Sequence, residues 1–143
     1  MKNNENKELG LGWHNFMVFC RGFTGVVGII VAIALVITSA LTIQPIGSLL
    51  SIAYLAVAIY SLNVRNSLRN FEEEAPKKLI TYNIVYMILS IADTLCPLLK
   101  LPLGSGAFPE DGVGSILDAV FHAIIMIAIN SAYYKKREDM FVN

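Results

Sequence analysis

Three ionisable side chains stand inside otherwise uncharged stretches of the sequence: Asp93 within Leu79–Leu99, and Asp118 and His122 within Val113–Tyr134. Asp118 and His122 are four residues apart, so a helix carries them on one face. A carboxylate beside an imidazole in a low-dielectric site can hold a proton or a small cation. Such a pair can also do no more than lock helices together, and acids near a membrane surface can simply face water. The sequence leaves all three readings open.

Other chemistry is missing. No HExxH, G-x-S-x-G or glycine-rich phosphate loop occurs, so no enzyme activity and no cofactor are expected. Glu72, Glu73 and Glu74 sit among Arg69, Lys77 and Lys78, the pattern of a solvated, self-neutralising face. Cys20 and Cys96 are expected near opposite membrane surfaces, too far apart for a disulfide. His14 stands alone in the N-terminal tail, with no partners for a metal site. The aromatic residues lack the basic context of a nucleic-acid surface.

The elements that hold these residues follow from composition. The chain has 143 residues, 55% hydrophobic and only 15% charged, where soluble domains average about 25% charged. The charges fall in short clusters separated by long uncharged runs, which excludes a disordered chain and points to a membrane protein. A helix crossing the hydrocarbon needs about 20 apolar residues. Four runs approach or exceed that length: Phe23–Ile43, Ile46–Leu62, Leu79–Leu99 and Val113–Tyr134. The expected fold is therefore all-α: a polytopic membrane protein whose four transmembrane helices form two hairpins in one bundle. Residues 1–143 make a single domain. The first apolar run exceeds a signal-peptide core and is expected to remain as a span.

Ten of the eleven Lys and Arg residues fall on the side shared by the N-terminal tail, the middle loop and the C-terminal tail, leaving Lys100 alone opposite. This asymmetry predicts both termini in the cytoplasm and the Lys100–Gly112 loop outside, in a cell membrane. Ahead of the first span, Trp13, Phe16, Met17 and Cys20 share one helical face, with Arg21 at the membrane edge. Either an interfacial helix anchored by Trp13 or an extension of the first span fits this pattern.

At 100° per residue, Tyr82, Asn83, Tyr86, Ser90, Asp93 and Thr94 share about 120° of arc. Ser115, Asp118, His122, Met126 and Asn130 do the same on the last span. Small and hydroxyl residues, Gly25 and Gly28 among them, gather on one side of the first span, where close helix packing is expected. The second span shows no clean stripe. With a rise of about 1.5 Å per residue, Asp93 lies roughly 9 Å and Asp118 roughly 8 Å inside the outer ends of their spans. His122 is one turn deeper. The three are expected to converge in the outer third of the bundle, with Thr38, Ser39 and Ser51 at comparable depth.

The span edges carry a resemblance. Gly12-Trp13-His14-Asn15-Phe16, the stretch from Val64-Arg65-Asn66-Ser67-Leu68 through Ala75-Pro76-Lys77-Lys78-Leu79, and the ending Tyr133-Tyr134-Lys135-Lys136-Arg137 before Met140-Phe141 resemble a group of small four-helix membrane proteins of clostridial-type Gram-positive bacteria. The resemblance implies architecture and source, and it carries no activity. Small multidrug transporters also have four spans, but they place an acid in the first span, and this chain has none there.

Two functions fit. One is a non-enzymatic association or regulatory protein of the membrane, whose partners beyond the lipid bilayer are a second copy or another membrane protein. The other is a small proton- or cation-coupled transporter or channel built on Asp93, Asp118 and His122. A water-accessible cavity lined by the acids would favour the second.

Overall fold

A computed structural model describes residues 10–98 and 112–141. They form helices α1 (Gly12–Leu41), α2 (Pro45–Arg69), α3 (Ala75–Leu98) and α4 (Gly112–Lys135), followed by a single 3-10 turn at Glu138–Met140. All four long helices are apolar and long enough to cross a membrane, and the molecule is a four-helix membrane bundle. The loop expected at Lys100–Gly112 lies outside the described residues, apart from Gly112.

The helices are longer than the apolar runs. α1 starts at Gly12 and runs without a break for 30 residues. Of the two readings of the segment at Trp13, the extension of the first span holds: Trp13, Phe16, Met17 and Cys20 form the first turns of α1, with His14 and Met17 buried against the rest of the bundle. α2 continues through Arg69, well beyond Leu62. Its polar tail stays helical because Ser61, Val64, Ser67 and Leu68 extend the buried stripe begun by Gly47, Ser51, Val57 and Ala58. That stripe is built of small and hydroxyl residues as much as aliphatics, so polarity alone does not reveal it. The middle connection shrinks accordingly to residues 70–74.

Both short connections use the same device. Gln44 N–H donates to Ser39 O and Ile43 N–H to Ala40 O; Glu72 N–H donates to Ser67 O and Phe71 N–H to Leu68 O. These are the paired bonds of a Schellman ending, which turns the chain through one left-handed residue. Here those residues are Ile43 (φ 53°) and Phe71 (φ 54°) rather than glycine. Pro45 then opens α2, where its missing N–H costs nothing.

α1 packs along α2, α2 along α3 and α3 along α4. The α1–α2 seam is tight: a Cβ added to Gly25 would lie 2.5 Å from Leu62 Cδ2, and one added to Gly28 would lie 3.0 Å from Ala58 Cβ. Ser61 Oγ donates to Arg21 O at 2.9 Å and meets Thr24 Oγ1 at 3.1 Å across this seam. α1 and α4 are not packed along their lengths. They meet at the end that carries the start of α1, the 70–74 connection and the end of α4, called here the basic end. There Trp13 Nε1 donates to Asn130 Oδ1 at 3.0 Å. His14 is buried, stacked on Phe71 with ring centroids 4.7 Å apart and set edge-on to Tyr134 and Phe141. Arg137 caps this knot, donating to Gly10 O and lying over the Tyr133 ring. His14 is thus no isolated tail residue: it is the piece around which α1, the 70–74 connection and the C-terminal turn close.

Candidate functional site

With α1 and α4 apart, a cavity of about 760 Å3 opens between them, backed by α2 and α3. Phe23, Val27 and Val31 of α1 and Phe121 and Ile125 of α4 line its mouth. Phe23 is 59% and Phe121 65% exposed, so these side chains are lips on the outer surface as well as walls. In a bilayer that mouth faces lipid.

α3 supplies the polar back wall. Its residues recur every three or four positions, Tyr82, Tyr86, Ser90 and Asp93, so one helical face carries them all into the cavity. Asp93 is 2% exposed, and Tyr54 of α2 donates to its Oδ2 at 3.4 Å. α4 supplies Ser115, Asp118 and His122 to the same cavity. Asp93, Asp118 and His122 therefore border one space, on two adjacent helices. Asp118 and His122 are both exposed to it. The structure draws no hydrogen bond or ion pair between these two. The buried residues of α4 are Ala123, Asn130 and Tyr134. The packed stripe is displaced from the polar one, which leaves Asp118 and His122 at the edge facing the cavity rather than against α3.

Thr38, Ser39 and Ser51 do not join them. Thr38 and Ser51 donate to carbonyls of their own helices, Ala34 and Gly47. Ser39 receives Ser48 Oγ at 3.1 Å and serves the α1–α2 seam. Among the described residues no three His, Cys, Asp or Glu side chains gather into a set that could hold a metal. Cys20 and Cys96 are both free thiols.

At the opposite end of the cavity lies a residue that the sequence marks only as a topology signal. Arg21 is 8% exposed, turned into the bundle rather than out to solvent, and its guanidinium lies 4.3 Å from the centroid of the Tyr82 ring. The signal for its burial is its phase: Met17, Arg21, Gly25, Gly28 and Ala32 follow one another at helical spacing, on the face turned toward α2. A buried charge with no counter-charge costs several kcal/mol. The contact with Tyr82 returns about 2 kcal/mol of this.

Comparison with known proteins returns no relatives: no family model, no curated protein and no solved structure matches the chain.

Proposed function

We propose that this protein is a small membrane carrier that binds a proton or a small cation at Asp93, Asp118 and His122. The observation that supports this reading above membrane association is the shared cavity: two acids and an imidazole border a single space large enough for a solute. A protein acting only through its outer faces needs no such space. In the proposed cycle, a bound proton or cation offsets one of the two negative charges, and its release restores charge that disfavours the empty cavity in lipid. The chemistry is binding and displacement, with no covalent step. In the same proposal the chain sits in a cell membrane with both termini in the cytoplasm, as the ten-to-one distribution of Lys and Arg supports. The resemblance of the span edges to small membrane proteins of clostridial-type bacteria agrees with that setting.

The test is cation–proton exchange by the full chain in vesicles loaded with a pH-sensitive dye. An imposed Na+ or K+ gradient should drive a pH change inside wild-type vesicles. Asp118→Asn and Asp93→Asn should reduce it to the level of protein-free vesicles, while Asp139→Asn, outside the cavity, should leave it intact. Wild-type vesicles as tight as empty ones would overturn the carrier reading and return the protein to association.

A further inference from the structure

The cavity has a second polar end that the carrier reading does not use. Arg21 of α1 and Asn83 of α3 both line it, and both are more than nine-tenths buried. Arg21 Nε and Nη1 and Asn83 Nδ2 are buried donors with no hydrogen-bond partner. The guanidinium lies over the ring of Tyr82, and the amide of the adjacent Asn83 lines the same cavity. A buried guanidinium with free donors suits an oxyanion, which accepts a charge-assisted N–H bond and supplies the missing charge. Asp93 does not supply it. It lies eleven residues beyond Tyr82 on α3, about 16 Å along the helix.

The depth of the site indicates what carries the oxyanion. Arg21 is nine residues from the start of α1, about 13 Å in, and Tyr82 is seven residues from the start of α3, about 10 Å in. Both lie near the headgroup boundary of the leaflet at the basic end. Beyond them, toward the bilayer centre, the mouth of the cavity is lined by the exposed apolar groups Phe23, Val27, Phe121 and Ile125. Polar donors at headgroup level and an apolar slot open to lipid beneath them are the shape of a single-headed amphiphile. We infer that this end of the cavity binds the oxyanion of an acidic amphiphile, with the head on Arg21 and Asn83 and the tail lying in the slot between α1 and α4. This site stands independently of the carrier function, since it shares the cavity but none of the acids.

The experiment measures lipid retention by the intact chain in neutral detergent, using native mass spectrometry. Dioleoyl phosphatidylglycerol, dioleoyl phosphatidylcholine and inorganic phosphate are offered separately. Wild type should hold phosphatidylglycerol at least about tenfold more tightly than phosphatidylcholine. Arg21→Gln should remove that preference, and Asn83→Leu, which keeps the cation, should weaken it. Emission from Trp13 reports whether each variant keeps the folded basic end. If inorganic phosphate binds wild type but not Arg21→Gln, and displaces the lipid, the oxyanion site stands and its source is soluble. If only the lipid binds, the source is the bilayer. Equal retention of the two lipids together with no phosphate binding overturns the inference. So does unchanged preference in folded Arg21→Gln or Asn83→Leu. Loss of exchange in the Asp118→Asn vesicles should leave lipid retention unchanged, which separates the two proposals.

Discussion

The indole N–H of Trp13, at the start of α1, donates to the side-chain oxygen of Asn130 on α4, 117 residues away and 3.0 Å distant. Because α1 and α4 are not packed along their lengths, this bond and the His14 knot beside it join the two helices at the basic end. Trp13→Phe leaves the Asn130 oxygen buried without its donor, at a cost of about 1–3 kcal/mol. The expected result is a lower melting temperature in detergent. Asn130→Leu should also shift the emission of Trp13, the sole tryptophan, as its N–H loses its acceptor.

The α1–α2 seam predicts an asymmetry between neighbours. Gly28→Leu drives a side chain into Ala58, and overpacking of this kind costs about 1–3 kcal/mol. Ile30→Leu changes a residue that faces outward and should be silent. Unfolding in graded SDS compares the two, and equal tolerance would remove the close contact at Gly28.

Much of this seam is legible from Gly25 and Gly28, since small residues at helical spacing signal close approach. The four spans are equally plain. What stays hidden is phase and length. Arg65 and Arg69 read as loop because they are charged, yet Val64 and Leu68 keep their stretch helical. Asp118 and His122 read as facing into the bundle together with Asp93; the stripe of Ala123, Asn130 and Tyr134 that packs α4 is displaced from them, a phase the sequence does not show. His14 and Arg21 read as tail and anchor because a single sequence shows their charge and not the rings of Phe71 and Tyr82 that receive them.

Ile43 predicts a gain. It is a β-branched residue in the left-handed region, a conformation that costs about 1–2 kcal/mol outside glycine, and its side chain is exposed. Ile43→Gly should raise resistance to SDS unfolding by about 1 kcal/mol. A fall would mean that the side chain holds the α1–α2 turn in some other way.

Glu72 predicts an acid-dependent contribution. Hydrogen bonds from Ser67 and from Lys78, whose Nζ lies 2.9 Å from Oε2, hold its carboxyl below the usual 4.5. A carboxylate so depressed stabilises the fold above 4.5, and that stabilisation fades as the pH falls through its lowered value. Wild type should therefore exceed Glu72→Gln in melting temperature by a constant margin at neutral pH, and the margin should vanish in stronger acid. A margin independent of pH would show that the charge of Glu72 is not involved.

Topology predicts a labelling pattern. In a cysteine-free background on intact cells, Ser105→Cys should react with an impermeant thiol reagent, and a cysteine replacing Lys2 or Asn143 should not. The reverse pattern would invert the proposed orientation.

The clasp at the basic end makes the slot between α1 and α4 a wedge with a fixed apex. Displacement along α4 then grows with distance from Asn130, as along any lever. A relative tilt of about 10° moves position 122 by about 2 Å and position 115 by about 4 Å, at 1.5 Å per residue. In such a tilt the aperture beside Arg21 changes least and the aperture beside Asp118 and Ser115 changes most. Under the two proposals made above, a tilt of one hairpin against the other would change the width available at the acidic end and leave the Arg21 end nearly unchanged.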